Sequence, residues 1–496
     1  MALTEITQRA NNRGGARQTT LFDSLGAAQR RHKRTRKAPG QENAHGENSP
    51  PDEAEQAAKR ARTRDTAVTD AQPQVTLVTR PFTMLGVHAA LRQRQRQALA
   101  PHSVAAGARL AALVSPAARA FRVAGDGAGA LPLACKYGGA ARLALVDEAG
   151  FVSVFDTRRG GALAPVQRWR AHDNAVFDIE WCGDGAQAVT ASADETCRLW
   201  DVERELCLGT FAGHAQTVRA VSWRHGDAHC FASASRDGAI MAWDVRCNRT
   251  MAADGARAFR PVNVIARAHP AAAVPRARRP VAGASVTAVR HLRHNPCLLA
   301  SAGSASEAVR FWDVRMRVAS RASALPQPVA ASLLPPAARR ARGTSSLALD
   351  PDATRLYAAC NDSAVYVHSA LAPARPLARL AAPEFECRSF NVGTAMSPCG
   401  RHLAAGSSTG SVVVWELDRF GTNASGRRAV LQGHAKEAGC VAWNPDSTRL
   451  ELATCGDDGI LRVWHEDALL AESASRDPVN RCSWGFSRLA CSPPAP

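Results

Sequence analysis

Between about residue 131 and residue 470, short runs of alternating apolar and polar positions are separated by turns rich in Gly, Asp, Asn and Ser. The segments AVTASADETCRLWDV and CFASASRDGAIMAWDV show the pattern. Each joins two alternating runs through a tight polar turn, which predicts antiparallel strands with one face toward a core. Several runs close on Trp-Asp, at Trp200-Asp201, Trp243-Asp244 and Trp312-Asp313. Related endings occur at Phe155-Asp156, Trp415-Glu416 and Trp464-His465, and the consecutive spacings are 45, 43, 69, 103 and 49 residues. A four-stranded propeller blade repeats about every 40–45 residues. The 103-residue gap therefore holds two blades, and SSLALDPDATRLYAACNDSAVYVHS fits between them with His368 at the tryptophan position. The 69-residue step carries about 26 residues beyond one repeat, and the Pro/Arg/Ala-rich stretch at about 248–285 is the natural place for that insertion. The expected fold class is all-β, a seven-bladed β-propeller over residues 131–470.

Polar residues inside the repeats strengthen that reading. His172, Thr190, Asp194 and Trp200 form one set; His214, Ser233, Asp237 and Trp243 a second; His434, Thr454, Asp458 and Trp464 a third. The His-to-Trp distances are 28, 29 and 30 residues. These sets resemble the tetrads of WD-repeat proteins, in which Asp meets His, His meets the hydroxyl, and the hydroxyl meets the indole N–H. A buried network of this kind must be fully satisfied, and it then fixes one packing of the blade. A His beside Asp and Ser also suggests a hydrolase triad, but recurrence at blade spacing favours the structural role.

The formal charge of +18 comes from 62 basic and 44 acidic residues and suggests an anionic partner such as nucleic acid. Only five of the basic residues are lysines, however, and no arginine stripe is interleaved with aromatics. A coding bias that spreads arginine thinly over the surface explains the charge as well. The 14 cysteines lie singly, without a CxxC pair, and read as reduced, mostly buried small residues with no metal site expected. The segment MALTEITQRA lacks an apolar h-region and no run of about 18 apolar residues occurs, which points to a soluble intracellular protein. The N-x-S/T sequons at Asn248, Asn361 and Asn423 then have no expected role. No phosphate loop, H-E-x-x-H or G-x-S-x-G is present, and the glycine-rich GDGAGA at Gly125–Ala130 precedes no helix. A non-catalytic binding platform without cofactor is the expectation.

Two repeats end in Trp-Asp-Val-Arg, at Trp243, Asp244 and Arg246 and at Trp312, Asp313 and Arg315. The second blade instead has Glu203 at the arginine position. WRAHDNAVFDIEW (169–181), RDGAIMAWDVRCN (236–248), SSLALDPDATRLYAAC, AMSPCGRHLAAGSSTGSVVVWEL and LATCGDDGILRVW resemble the denticleless family over roughly residues 130–470. Members of that family are WD-repeat substrate receptors of cullin-4 RING ubiquitin ligases. The resemblance implies that those six residues face the ligase's propeller-built adaptor. It further implies delivery of proteins bound to the sliding clamp PCNA for ubiquitination, in S phase or after DNA damage. The other reading is a nuclear scaffold for histones or chromatin with no ligase role.

Residues 1–80 lack periodicity and read as a disordered basic tail. Its clusters Arg30, Arg31, Lys33, Arg34, Arg36, Lys37 and Lys59, Arg60, Arg62, Arg64 fit nuclear import, or else a solvating or DNA-touching charge run. Within RQTTLFDSLG, Gln18, Leu21, Phe22 and Leu25 resemble a degenerate clamp-binding peptide, though Ser24 and Leu25 stand where aromatics would plug the pocket. An incidental amphipathic turn, or a motif for another partner, is the other reading. Residues 81–130 form a lead-in, and 471–496 a closing segment and short tail. Animal members of the family carry a long C-terminal tail, so a clamp or DNA contact made by such a tail is expected here from the N-terminal segment or not at all.

Overall fold

The computed structural model describes residues 109–470 and 485–491, apart from internal stretches at 124–128, 184, 248, 252–256, 270–282, 306–307, 317–325, 334–342, 419–420 and 423–425. The basic clusters and the clamp-like peptide lie outside the described residues, as does GDGAGA except for its last two positions.

The molecule is a seven-bladed propeller built almost wholly of strands. The first blade runs Pro132–Tyr137, Arg142–Asp147, Phe151–Asp156 and Pro165–Arg170, each antiparallel to the next. The second, third and fourth blades begin at Val176, Val218 and Val286, and the fifth and sixth at Thr344 and Thr394. Alternation, interrupted by a bulge between Val176 and Asp178 in the second blade, explains the layering. In Val176–Trp181, Val176, Ile179 and Trp181 are buried between blades, and they join Val152, Val154, Trp169 and Trp200 in one core cluster. The core is thus a ring of inter-blade clusters rather than one centre. The fifth blade follows the same rule with His368 opposite Leu356, as Trp200 stands opposite Ala188.

The seventh blade is composite. Ala438–Trp443, Leu452–Gly456 and Ile460–Glu466 supply three strands, and Leu113–Ser115 pairs antiparallel with the third, Leu113 opposite Glu466. Strand Gly485–Cys491 then pairs on one side with Leu113–Ser115 and on the other with Arg427–Gln432, the outer strand of the sixth blade. Blades six and seven therefore share one continuous sheet. The stretch after Cys247 likewise contributes to two blades. Arg257–Phe259 adds in parallel to Leu206–Ala212 at the edge of the second blade, and Asn263–Ile265 is the fourth strand of the third. Gly209 permits that addition, because a Cβ there would stand 2.4 Å from the Phe259 ring.

Candidate functional site

The three sequence-derived tetrads assemble as hydrogen-bond chains. His172 Nδ1 lies 2.7 Å from Asp194 and its Nε2 2.7 Å from Thr190 Oγ1, which accepts the Trp200 indole N–H at 3.0 Å. In the third blade the distances are 2.9 Å from His214 to Asp237, 2.7 Å from His214 to Ser233 and 2.8 Å from Trp243 to Ser233. In the seventh, His434 meets Asp458 at 3.1 Å and Thr454 at 2.8 Å, and Trp464 donates to Thr454 at 2.8 Å. Burial opposes the Asp194 charge, but hydrogen bonds from His172 and Thr196 outweigh it and hold the carboxyl at about 2. Thr190, Ser233 and Thr454 are fully buried, and each hydroxyl oxygen already accepts an indole N–H. These sets offer no accessible nucleophile. A fourth, partial set escaped the sequence reading. His269 Nε2 lies 2.8 Å from Ser301 Oγ, which accepts the Trp312 indole N–H at 2.8 Å.

The two Trp-Asp-Val-Arg endings terminate the third strands of adjacent blades, Ile240–Asp244 and Ala308–Asp313. In each, the tryptophan turns into its own blade and the aspartate shapes the turn. Asp244 Oδ1 accepts the Arg246 backbone N–H at 2.9 Å, a side-chain-to-backbone bond that fixes a tight turn. The Arg246 guanidinium then folds back on the same carboxylate, donating Nε–H to Oδ1 at 2.9 Å and Nη2–H to Oδ2 at 2.8 Å. Arg315 repeats this on Asp313, with 3.0 Å for the backbone N–H, 3.0 Å for Nε and 2.7 Å for Nη2. Hydrogen bonds from Arg246 hold Asp244 at about 2, and the carboxylate in turn raises the affinity of each guanidinium for its proton. The arginine side chains remain 55% and 68% exposed. The bidentate face of each fork is already occupied by its own aspartate, so the outward edge, with Nη1, is what a partner meets.

Two further features belong to this end of the ring. Asn263 Nδ2–H donates to the carbonyls of Val314 and Met316 at 2.8 and 3.0 Å, so the third blade holds the Arg315 turn in place. In the second blade Glu203 pairs with Arg142 of the first, while Arg204, one position later, donates to Asp201 at 2.8 Å. A third Arg–Asp pair thus exists where the motif is absent. The first six blades repeat the same strand order, so their turns from third to fourth strand lie at one end of the ring. Among the described residues, the exposed large apolar side chains Val166, Leu206, Val262, Met316 and Leu377 lie at or beside these turns, and Leu469 lies just after the third strand of the seventh blade. The sequence reading missed them, because one apolar residue after a turn carries no periodic signal.

Elsewhere, the innermost strands enclose a cavity of about 330 Å³ around the ring axis. Lys136 pairs there with Asp178 at 3.2 Å and with Glu180. Arg219 donates to the Phe390 carbonyl and Asn391, and stacks 4.5 Å from the Phe177 ring centroid. Against the expectation of solitary cysteines, Cys135, Cys440 and Cys455 meet, with their three Sγ atoms within 4.8 Å of one another. All the described cysteines are free thiols. Among the described residues no helix is long and apolar enough to cross a membrane.

The WD domain, G-beta repeat family model matches residues 163–201, 205–244 and 426–465, which cover the second, third and seventh repeat endings. The chain is 34% identical over 333 residues to the Danio rerio protein named Denticleless protein homolog, covering 65% of this chain and 49% of that protein. It is 30% identical over 378 residues to the Homo sapiens protein of the same name, covering 72% and 50%. The Drosophila melanogaster Protein lethal(2)denticleless is 29% identical over 337 residues, covering 65% and 42%. The chain spans about half the length of the curated relatives it matches. With the repeats, the ring and these relatives in agreement, its propeller is that of a WD-repeat protein of the denticleless family.

Proposed function

We propose that this protein is the substrate-recognition subunit of a cullin-4 RING ubiquitin ligase and is itself non-catalytic. Its propeller docks the ligase adaptor through the Arg246 and Arg315 turns and presents PCNA-bound proteins for ubiquitination, in the nucleus, during S phase or after DNA damage. The observation that carries the reading is the pair of Arg–Asp forks, alike in geometry, on neighbouring blades. Each aspartate holds its guanidinium in one orientation before any partner arrives, which reduces the side-chain entropy lost on docking. Exposed apolar residues around the forks, such as Leu206, Val262 and Met316, supply surface that becomes buried when a protein partner covers it. The tetrads keep the supporting strands rigid.

The experiment is a pulldown of the cullin-4 adaptor with wild type and with the Arg246→Ala/Arg315→Ala double variant. Arginines at the centre of an interface often contribute about 2 kcal/mol or more each, so losing both should weaken binding by roughly 1,000-fold. Undiminished adaptor binding removes the docking role. Copurification with histones in place of the adaptor would favour the chromatin-scaffold reading.

A further inference from the structure

We propose that Cys135, Cys440 and Cys455 form a binding site for a thiophilic d10 metal ion, Zn²⁺ in the first instance, placed where the first and last blades of the ring meet. The inference is independent of the docking role. Cys440 and Cys455 are direct cross-strand partners in the seventh blade, so their side chains leave the same face of the sheet. Cys135 comes from the innermost strand of the first blade and faces them, its backbone N–H donating to Cys440 Sγ at 3.3 Å. All three Sγ atoms lie within 4.8 Å of one another. Zn–S bonds of about 2.3 Å set sulfurs roughly 3.8–4.0 Å apart, so three thiolates can close on one ion with shifts of about an ångström or less.

The thiols have little else to do. Their contacts to backbone carbonyls are long: Cys440 to Cys135 at 3.6 Å, Cys455 to Pro132 at 3.9 Å and Cys135 to Ala453 at 4.0 Å. Cys135 and Cys455 are fully buried, whereas Cys440 reaches the wall of the axial cavity, which provides an entry path and room for a water as fourth ligand. Three sulfur donors select soft ions over Mg²⁺ or Ca²⁺. Binding breaks three S–H bonds, sends three protons to solvent and forms three S–metal bonds, with no electron transferred. The resulting site carries −1 with Zn²⁺ and −2 with Cu(I). The smaller charge is easier to hold inside the protein, and the Lys136 ammonium lines the same cavity.

The test uses the full-length chain under reducing conditions. Zn²⁺ is titrated against a chromophoric chelator, Co²⁺ serves as the optical probe, and Cu(I) is offered in a parallel arm. One equivalent of Zn²⁺ per chain is expected, with a thiolate-to-Co²⁺ charge-transfer band and a raised thermal midpoint. Cys440→Ser should lower affinity at least tenfold while keeping the metal-free midpoint and circular dichroism of wild type. Cys455→Ala should do the same if Cys440→Ser folds poorly. Cys207→Ser/Cys247→Ser, which removes the two exposed described thiols, should change nothing. Stoichiometric preference for Cu(I) would keep the site and replace the ion. Binding that is no tighter than in Cys440→Ser, or that follows Cys207 and Cys247, overturns the proposal.

Discussion

In the third blade one buried hydroxyl serves two partners, since Ser233 Oγ lies between His214 Nε2 and the Trp243 indole. Ser233→Ala leaves both without a partner inside the protein, and each orphaned buried group costs about 1–3 kcal/mol. The variant should lower unfolding stability by about 2–6 kcal/mol, read from urea midpoints. The sixth blade supplies the contrast. The Trp415 indole N–H has no partner among the described residues, whereas that of Trp464 bonds Thr454. Trp415→Phe should therefore destabilise less than Trp464→Phe, and equal losses in the two variants would remove the hydrogen-bond explanation. The tetrads could be read from the sequence because a local repeat carries them at nearly constant spacing. His269 stands 43 residues before Trp312, because the stretch after Cys247 intervenes, and the spacing rule passes over it. Cys135 and Cys440 are 305 residues apart, and only the closed ring makes them neighbours.

The inner strands of the blades were legible as elements, since each must bury alternate side chains against the next blade. Several of the outer strands were not. Asn263–Ile265, Ala378–Leu380 and Leu113–Ser115 are three residues long, too short to show a period. The last of these lies in what reads as a lead-in, and its partner strand comes only at Ile460–Glu466. The strand added to the second blade gives a direct test at this scale. Gly209→Val would drive a side chain into the Phe259 ring, so Arg257–Phe259 should detach from Leu206–Ala212. Hydrogen exchange at Ala258 and Phe259 should accelerate in the variant while the first, fifth and sixth blades keep their protection. Unchanged exchange there would mean that the edge adapts without losing the strand.

For the whole molecule, buried histidines set the response to acid. Burial pushes His269 down to about 3 and His291, His368 and His402 down to about 4. All four are neutral in the folded ring, while the unfolded chain binds protons below the ordinary value of about 6.5. The stability they allow is therefore complete above pH 6.5 and is lost as the pH falls toward 4, by on the order of 1 kcal/mol per pH unit for each histidine. Asp457, pushed up to about 6 by burial and by Glu437, acts in the opposite direction. So do the carboxyls of Asp147 and Asp178, which burial raises, whereas the lowered carboxyls of Asp194, Asp237, Asp244 and Asp458 act with the histidines. Urea midpoints at pH 7.5, 6 and 5 should decline, and the His368→Gln variant should decline less steeply. A flat profile would show that these histidines take up protons without unfolding.

The shared sheet of the sixth and seventh blades has a kinetic consequence. Leu113–Ser115 is made early in synthesis, yet its neighbours, Ile460–Glu466 and Gly485–Cys491, arrive some 350 residues later. Until then Leu113–Ser115 has no partner strand and the edge of the sixth blade stands bare. Pairings so distant in sequence form slowly, because loop entropy is lost before contacts compensate it. Closure of the ring should thus be the late step of folding, and the nascent chain is most exposed to edge-to-edge association while it waits for its final strand.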